Sequence, residues 1–359
     1  MKHLASFIQH RAEGLLLRLM ILLAAATVLT PGTHVLPVQA AEPVMVKDIG
    51  KPGSLSSYPG YITDVNGTLF FFVSEYDDGP GLWKSDGTAD GTVLVKDIKR
   101  DACYDILINV NGTLFFKTDD GTHGDELWKS DGTEAGTVLV KDINPEGDSS
   151  SDSDFINING TLFFAADDGT HGTELWKSDG TEAGTVLVKD IRPGALSLLD
   201  VYRYISFTDV NGTLFFAADD GTHGYELWKS DGTEAGTVMV KDINTGNGSS
   251  SPNDFLNVNG TLFFAADDGI HGEELWKSDG TEAGTVMVKD ISPGVGSSSL
   301  SNFINVNGML LFTADDGIHG KELWKSDGTE AGTVMVKDIK PGKDTSYTCS
   351  LINMNGTLF

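Results

Sequence analysis

The phrase Leu-Trp-Lys-Ser-Asp-Gly-Thr occurs six times in this chain, with its tryptophan at Trp83, Trp128, Trp176, Trp228, Trp276 and Trp324. The spacings are 45, 48, 52, 48 and 48 residues. A fixed period of this size marks a solenoid or propeller, in which one supersecondary unit stacks on its copies. The repeat sets the architecture. It also masks function, because a residue present in every copy reads as scaffold before it reads as active site.

One unit can be followed strand by strand. Residues 207–210 read as a short strand A and are followed by Asn211-Gly212, the strongest two-residue hairpin signal. Residues 213–218 read as strand B. A turn, Asp219-Asp-Gly-Thr-His-Gly224, leads to strand C at 226–230. The loop Asp231-Gly-Thr-Glu-Ala-Gly236 leads to strand D at 237–241, closed by Asp242 and Ile243. No segment has a helical period, and glycine recurs too often for helices. Leu227 and Trp228 are adjacent and so point to opposite faces of the sheet, as do Leu214 and Phe215. A sheet that is apolar on both faces fits between two neighbours, whereas a single-faced sandwich alternates more cleanly.

These features predict an all-β chain, a β-propeller of four-stranded antiparallel blades. A parallel β-helix ranks second, because its coils are shorter and lack tight Asn-Gly hairpins. Six complete units end at Ile98, Ile143, Ile191, Ile243, Ile291 and Ile339. Residues 44–49 match a lone strand D, and residues 350–359 match strand A with the start of B. The expectation is six complete blades plus an incomplete seventh shared by the two termini, which reads as a truncated seven-bladed ring. A six-bladed ring with frayed ends is the alternative.

Residues 1–40 stand outside the repeats. A basic start at Lys2, Arg11 and Arg18, a short apolar run and Val38-Gln39-Ala40 before Ala41 read as a secretory signal peptide, leaving residues 41–359 as the propeller domain. The run is short for a membrane span, and no later stretch is apolar enough, so no transmembrane segment is expected after cleavage. The expected location is secreted, periplasmic or cell surface. The whole chain has 25 basic and 52 acidic side chains. Residues 1–40 hold three basic and one acidic side chain, so the remaining 319 residues hold 22 and 51, a net of −29. Such a surface repels nucleic acid and anionic lipid, and keeps a repetitive β protein soluble. Cys103 and Cys349, in corresponding loops, are candidates for a disulfide in an exported protein.

The chain resembles the bacterial secreted repeat family described by the motif ELWxxDGTxxGT, sometimes labelled hyalin-like. The match runs from Glu126-Leu-Trp-Lys-Ser-Asp-Gly-Thr-Glu-Ala-Gly-Thr137 through four more full copies, and Gly81 replaces the leading Glu in the first. The resemblance covers the chain from residue 41 onward and implies a secreted propeller-like protein. It implies no defined activity. A weaker resemblance links the unit to blades of periplasmic propellers of the TolB type.

Most motifs read as structure. Asn-Gly-Thr at Asn66, Asn111, Asn159, Asn211, Asn259 and Asn355 has the form of a glycosylation sequon. Asn307-Gly308-Met309 loses the sequon and keeps the turn, so the turn is what the repeat preserves. The Asp-Gly loop between strands C and D is similar to the structural Asp-box hairpins of sialidase-type propellers. The loop between B and C is the best chemical candidate. It holds His123, His171, His223, His271 and His319, and Asp219, Asp220 and Glu226 around His223 are possible calcium ligands. No motif requires a cofactor, and calcium is the one possibility. The alternative is a turn in which Asp caps backbone amides.

Catalytic signatures are missing, with no nucleophile elbow, phosphate loop or HExxH. One loop breaks the repeat. The segment from Arg192 to Tyr204 is four residues longer than its equivalents and carries Leu198, Leu199, Tyr202, Arg203 and Tyr204. Tyr and Arg are typical anchors at binding surfaces, and packing on the fourth blade is the alternative. The reading is therefore a secreted or cell-surface binding or structural module without catalysis, with an extracellular protein or glycan as partner and no nucleic acid. A propeller hydrolase or lyase acting on extracellular polysaccharide is the alternative.

Overall fold

In the computed structural model, residues 44–49, 57, 59–73, 81–98, 107–149, 155–194, 206–346 and 351–359 are described. Residues 46–359 belong to one compact unit. Six four-stranded sheets follow one another along it, spanning residues 59–97, 108–141, 156–189, 208–241, 253–289 and 301–337. In each, strands A to D pair with the next in chain order, all antiparallel. These are the blades of a β-propeller, numbered 1 to 6 below.

Blade 4 consists of Thr208–Val210, Thr213–Asp219, Tyr225–Ser230 and Val238–Lys241. Strands B and C reach one pair further than their composition suggests, because Asp219 lies opposite Tyr225 and extends the ladder. Strands A and B turn on Asn211 and Gly212 at φ of 55° and 85°, a pair of left-handed residues that only such a turn demands. Val210 and Thr213 close the hairpin. Asn307 and Gly308, where the sequon is broken, adopt the same angles, 55° and 81°.

The two faces of each blade go to different neighbours. Trp228, Leu214 and Phe216 join a core with Phe163, Ala165 and Leu175 of blade 3. Leu227 and Phe215 join Leu262, Phe264 and Trp276 of blade 5. Adjacent residues on one strand thus build two cores, as alternation across a pleat requires.

Polar fasteners border these cores, and the repeated lysines supply two of them. The strand C lysine of one blade donates to a glycine carbonyl in the C–D loop of the next. Lys177 Nζ reaches Gly232 O and Lys229 Nζ reaches Gly280 O, at 2.8 and 2.7 Å. The strand D lysine donates to a threonine carbonyl of the next blade, Lys189 to Thr237 at 2.8 Å, and stands 5.9 Å over the ring of Trp228. A strand A asparagine ties back to the preceding blade, as Asn257 Nδ2 does to Asp209 O at 2.9 Å.

The flanking segments use the same contacts. Lys47 Nζ donates to Thr92 O of blade 1 at 2.8 Å, the strand D bond. After blade 6, a short hairpin of Asn353–Met354 and Thr357–Leu358 places Asn353 Nδ2 2.8 Å from Asn305 O, the strand A bond. Residues 44–49 thus stand where strand D of a blade before blade 1 would, without forming a strand, and the hairpin stands where strands A and B of a blade after blade 6 would. Ring closure between them is not seen among the described residues. The outer faces of the array are less covered than the inner ones. Leu69 is 43% exposed where Leu114, Leu162 and Leu214 are fully buried, and Ile339 is 50% exposed where Ile243 is 5%.

If the lysine bonds fasten blade to blade, position along the array decides what each is worth. Lys177→Met is expected to lower unfolding free energy by about 1.5–3 kcal/mol, the usual range for a hydrogen bond with a charged partner. Lys325→Met, at the exposed counterpart in blade 6, is expected to stay within ~0.5 kcal/mol of the parent. Equal losses in denaturant titrations would overturn the fastener reading.

Candidate functional site

The loops on one rim hold nearly all the chemistry the sequence singles out. The entry loop preceding each blade and the B–C loop of the blade before it are stitched together. Asp125 N donates to Asp148 Oδ1 at 3.0 Å and Ser149 N to Asp125 O at 3.1 Å. Ser249 Oγ accepts from Tyr225 N at 3.0 Å. The two loop types therefore emerge on the same face, as a meander dictates.

Each B–C loop is a self-contained turn. In blade 4, Asp219 Oδ1 accepts from Gly221 N at 2.7 Å, and its Oδ2 pairs with Arg192 Nη1 at 2.7 Å. Asp220 Oδ1 accepts from the backbone of Thr222 and His223 at 2.8 and 2.9 Å, and its Oδ2 meets His223 Nδ1 at 2.8 Å. The same histidine–aspartate clamp recurs at His123, His171, His271 and His319. Its hydrogen bond to Asp220 raises the titration of His223, with the negative field of Asp242 and Glu226 adding to it. Burial works to raise Asp220, but the bonds from His223 outweigh it and hold Asp220 below the ordinary range.

Glu226 sits elsewhere. It is on strand C, fully buried, with its side chain turned under the entry loop. Its oxygens accept from Ile243 N at 2.8 Å, Asn244 N at 3.3 Å, Ser250 N at 3.0 Å and Ser250 Oγ at 2.6 Å. Glu126, Glu174, Glu274 and Glu322 bond the equivalent isoleucine amides. Blade 1 has Gly81 at this position. Burial pushes the carboxyls of Glu126, Glu174, Glu226 and Glu274 up, Glu174 to about 8 and Glu274 to about 7, against the pull of the amides that face them.

The three possible calcium ligands thus do different jobs. Asp219 and Asp220 each close a turn, and Glu226 caps the backbone where strand D ends. Among the described residues no group of three or more His, Cys, Asp or Glu is placed to hold a metal ion. Leu198, Leu199, Tyr202, Arg203 and Tyr204, and also Cys103 and Cys349, lie outside the described residues.

The C–D loop on the opposite rim is equally closed. Asp231 Oδ1 accepts from Thr233 N and Thr233 Oγ1 at 2.8 and 2.7 Å. Ser230 Oγ pairs with Thr237 Oγ1 at 2.7 Å, and Thr237 Oγ1 donates to Thr233 O at 2.7 Å. A Cβ on Gly236 would overlap the Asp231 carboxylate. Every fixed position of the Ser-Asp-Gly-Thr-x-x-Gly-Thr phrase therefore has a structural task in this loop.

One rim feature escapes the motif reading. Ile270 and Ile318 are 65% and 64% exposed at the tips of the B–C loops of blades 5 and 6, and Val295 of the entry loop after blade 5 is 90% exposed. The sequence carries a signal for it in the single variable position of Asp-Asp-Gly-x-His-Gly. That position is threonine at Thr122, Thr170 and Thr222, and isoleucine only in blades 5 and 6.

No family model and no curated protein matches the chain. Among solved structures it is similar to puromycin hydrolase, at 12% identity and a TM-score of 0.41, over 81% of this chain and 55% of that one. A structure from a study of two prolyl endopeptidases gives 13% identity and 0.43, over 77% and 42%. BamB from Moraxella catarrhalis gives 14% and 0.42, over 83% and 78%. The chain spans about half the length of the two hydrolases it is similar to. Identity this low, with TM-scores under 0.5, says nothing of activity. No helix among the described residues is long and apolar enough to cross a membrane.

Two outcomes follow from the loop chemistry. Millimolar calcium is expected to leave the melting temperature where a chelator leaves it, since a ligand of the native state would raise it by mass action. A rise of several degrees would mean that the carboxylates leave their backbone donors to bind metal. The second outcome concerns pH. Glu174 holds its proton to about 8 when folded but only to its ordinary 4.5 when unfolded. Between those values the native state binds more protons, so stability falls as pH rises. The raised histidines act in the same direction above 6.5. Stability is thus expected to be greatest at mildly acidic pH. Glu174→Gln should flatten the decline between pH 5 and 8 by about 1.4 kcal/mol per pH unit at most. An unchanged slope in pH-dependent denaturation would show that this carboxyl is ionised in its buried site.

Proposed function

We propose that this chain is a secreted or cell-surface binding module, a non-catalytic propeller of the ELWxxDGT-repeat kind that presents one loop rim to an extracellular protein or glycan. The carrying observation is a division of labour. The fixed polar side chains of the B–C and C–D loops and the strand C glutamates spend their hydrogen bonds inside their own blade or on the entry loops beside it, while most of what differs between copies lies in the entry loops and B–C loop tips of one rim. A rigid frame with variable loops on one side is how binding scaffolds are built. The N-terminal signal supports location outside the cytoplasm, and the strongly acidic surface disfavours nucleic acid.

The geometry weighs against polysaccharide cleavage. A glycoside hydrolase or lyase needs carboxyls that face open space and a substrate. The carboxyls whose protons are held near neutral pH, Glu174 and Glu274, are fully buried and bonded to the backbone of their own blades. They resemble general acids in titration and differ from them in access.

The test is a screen of the chain from residue 41 onward against extracellular protein and glycan arrays, run beside polysaccharide degradation assays. Saturable binding with no degradation is expected. Degradation of any polysaccharide, lost when a rim carboxylate is replaced, would overturn the binding reading in favour of the enzyme.

A further inference from the structure

Ile270, Val295 and Ile318 are separated in sequence but belong to one stitched assembly of loops. Ser298 of the entry loop donates its amide to Glu273 O in blade 5 at 2.9 Å, and its carbonyl accepts from Asp315 N in blade 6 at 2.8 Å. Ser297 Oγ accepts from Glu273 N at 3.1 Å. The loop is wedged tightly at the first of these turns, since a Cβ on Gly272 would meet Gly296 O at 2.7 Å, and is in ordinary contact range at the second, where one on Gly317 would lie 3.6 Å from Ser292 Oγ. The entry loop carrying Val295 therefore lies against the two loops whose tips are Ile270 and Ile318.

These side chains are exposed without structural need. The backbone of each tip is held as in the sister loops, Ile270 N and Ile318 N donating to Asp268 Oδ1 and Asp316 Oδ1 at 2.9 Å, as Thr222 N does to Asp220 Oδ1 at 2.8 Å. Threonine serves the turn equally well in three copies, so isoleucine adds nothing to it. Two isoleucines and a valine thus stand in water on loops that are bonded to one another on one rim, an arrangement of exposed apolar groups that marks interaction sites. The two B–C loops are acidic on balance, although His271 and His319 pair with one carboxylate in each. Each loop opens with an Asp-Asp pair, Glu273 follows the first, and Lys321 is the single lysine or arginine in the two loops.

We infer that Ile270, Val295 and Ile318 form a docking patch for a cationic amphipathic segment of a partner protein, one that sets apolar side chains between lysines or arginines. This rests on the binding-module reading and names its partner class. Charge complementarity selects that occupant. An anionic membrane or a nucleic acid would meet the same carboxylates as repulsion. A sugar ring is usually received on an aromatic plane, and this patch is aliphatic. The loop tips are rigid before binding, so little ordering entropy opposes association.

The test uses the full chain and three labelled peptides, one alternating Leu and Lys, one Ser and Lys, and one Leu and Glu, followed by fluorescence anisotropy at about 150 mM salt, where exposed charges are screened within about 8 Å. The comparison protein carries Ile270→Thr, Val295→Ser and Ile318→Thr. The Leu-Lys peptide is expected to bind the parent and to lose about tenfold or more in affinity on the variant. The Ser-Lys peptide should bind both equally and weakly, and the Leu-Glu peptide neither. The variant should melt with the parent. If it does not, the Ile270→Thr/Ile318→Thr pair, which installs the residue of the sister loops, makes the same comparison. Equal Leu-Lys affinity for parent and variant, or no binding to the parent, would overturn the patch. An array ligand that binds the variant as well as the parent would sink this placement and leave the binding-module reading standing, whereas polysaccharide degradation would sink that reading itself.

Discussion

A sheet that is apolar on both faces cannot stand alone in water, and everything else in this molecule follows from covering it twice. Trp228 faces back to blade 3 while its neighbour Leu227 faces forward to blade 5. Each fully buried side chain of this size contributes roughly 1.5–3 kcal/mol relative to exposure. A single blade would leave half of that unrealised, so the unit is stable only in an array. The lysine, threonine and asparagine bonds then set register between blades that hydrophobic contact alone would let slide. Residues 44–49 and the hairpin at 353–358 each use one polar contact of the set, Lys47 on Thr92 and Asn353 on Asn305, and leave the outer apolar faces partly exposed.

A second constraint is the treatment of acid groups. The chain is rich in carboxylates, yet those fixed in the repeated B–C and C–D loops and on strand C are bonded to local donors. Asp231 closes the C–D loop, Asp220 clamps its histidine, and Glu226 caps the end of strand D from inside the fold. Placing Glu226 under cover requires donors on both oxygens, and Ile243, Asn244 and Ser250 supply them. The remaining desolvation shows as raised titration, which ties stability to pH without providing an exposed acid for chemistry.

The sequence made the architecture legible because its signals are local. Asn211-Gly212 demands left-handed backbone, the apolar pairs on strands B and C declare two buried faces, and the 48-residue period declares stacking. The candidate site was legible only in part. His223 and Glu226 stand three residues apart and look alike as ligands, but a strand places Glu226 inward while His223 stays in the preceding turn. That difference depends on the entry loop that folds over Glu226 from 24 residues downstream at Ser250. The repeated lysines were unreadable for the same reason, since their acceptors, such as Gly232 for Lys177, lie 55 residues away on another blade. Composition reveals neither.

A repeat scaffold changes what one substitution can mean. In an irregular protein, an isoleucine at a loop tip is hard to weigh, because no second copy shows what the loop needs. Here three sister loops hold the same hydrogen bonds with threonine, so the turn chemistry of Ile270 and Ile318 is accounted for before their side chains are considered. What remains is apolar surface in water, which the fold does nothing to relieve. The surrounding negative charge then acts in two ways. It keeps an exposed patch from self-association, since two such rims repel each other. It also favours approach by a partner of opposite charge, whose apolar side chains can then dock. Charge guards the patch and chooses its partner by the same field.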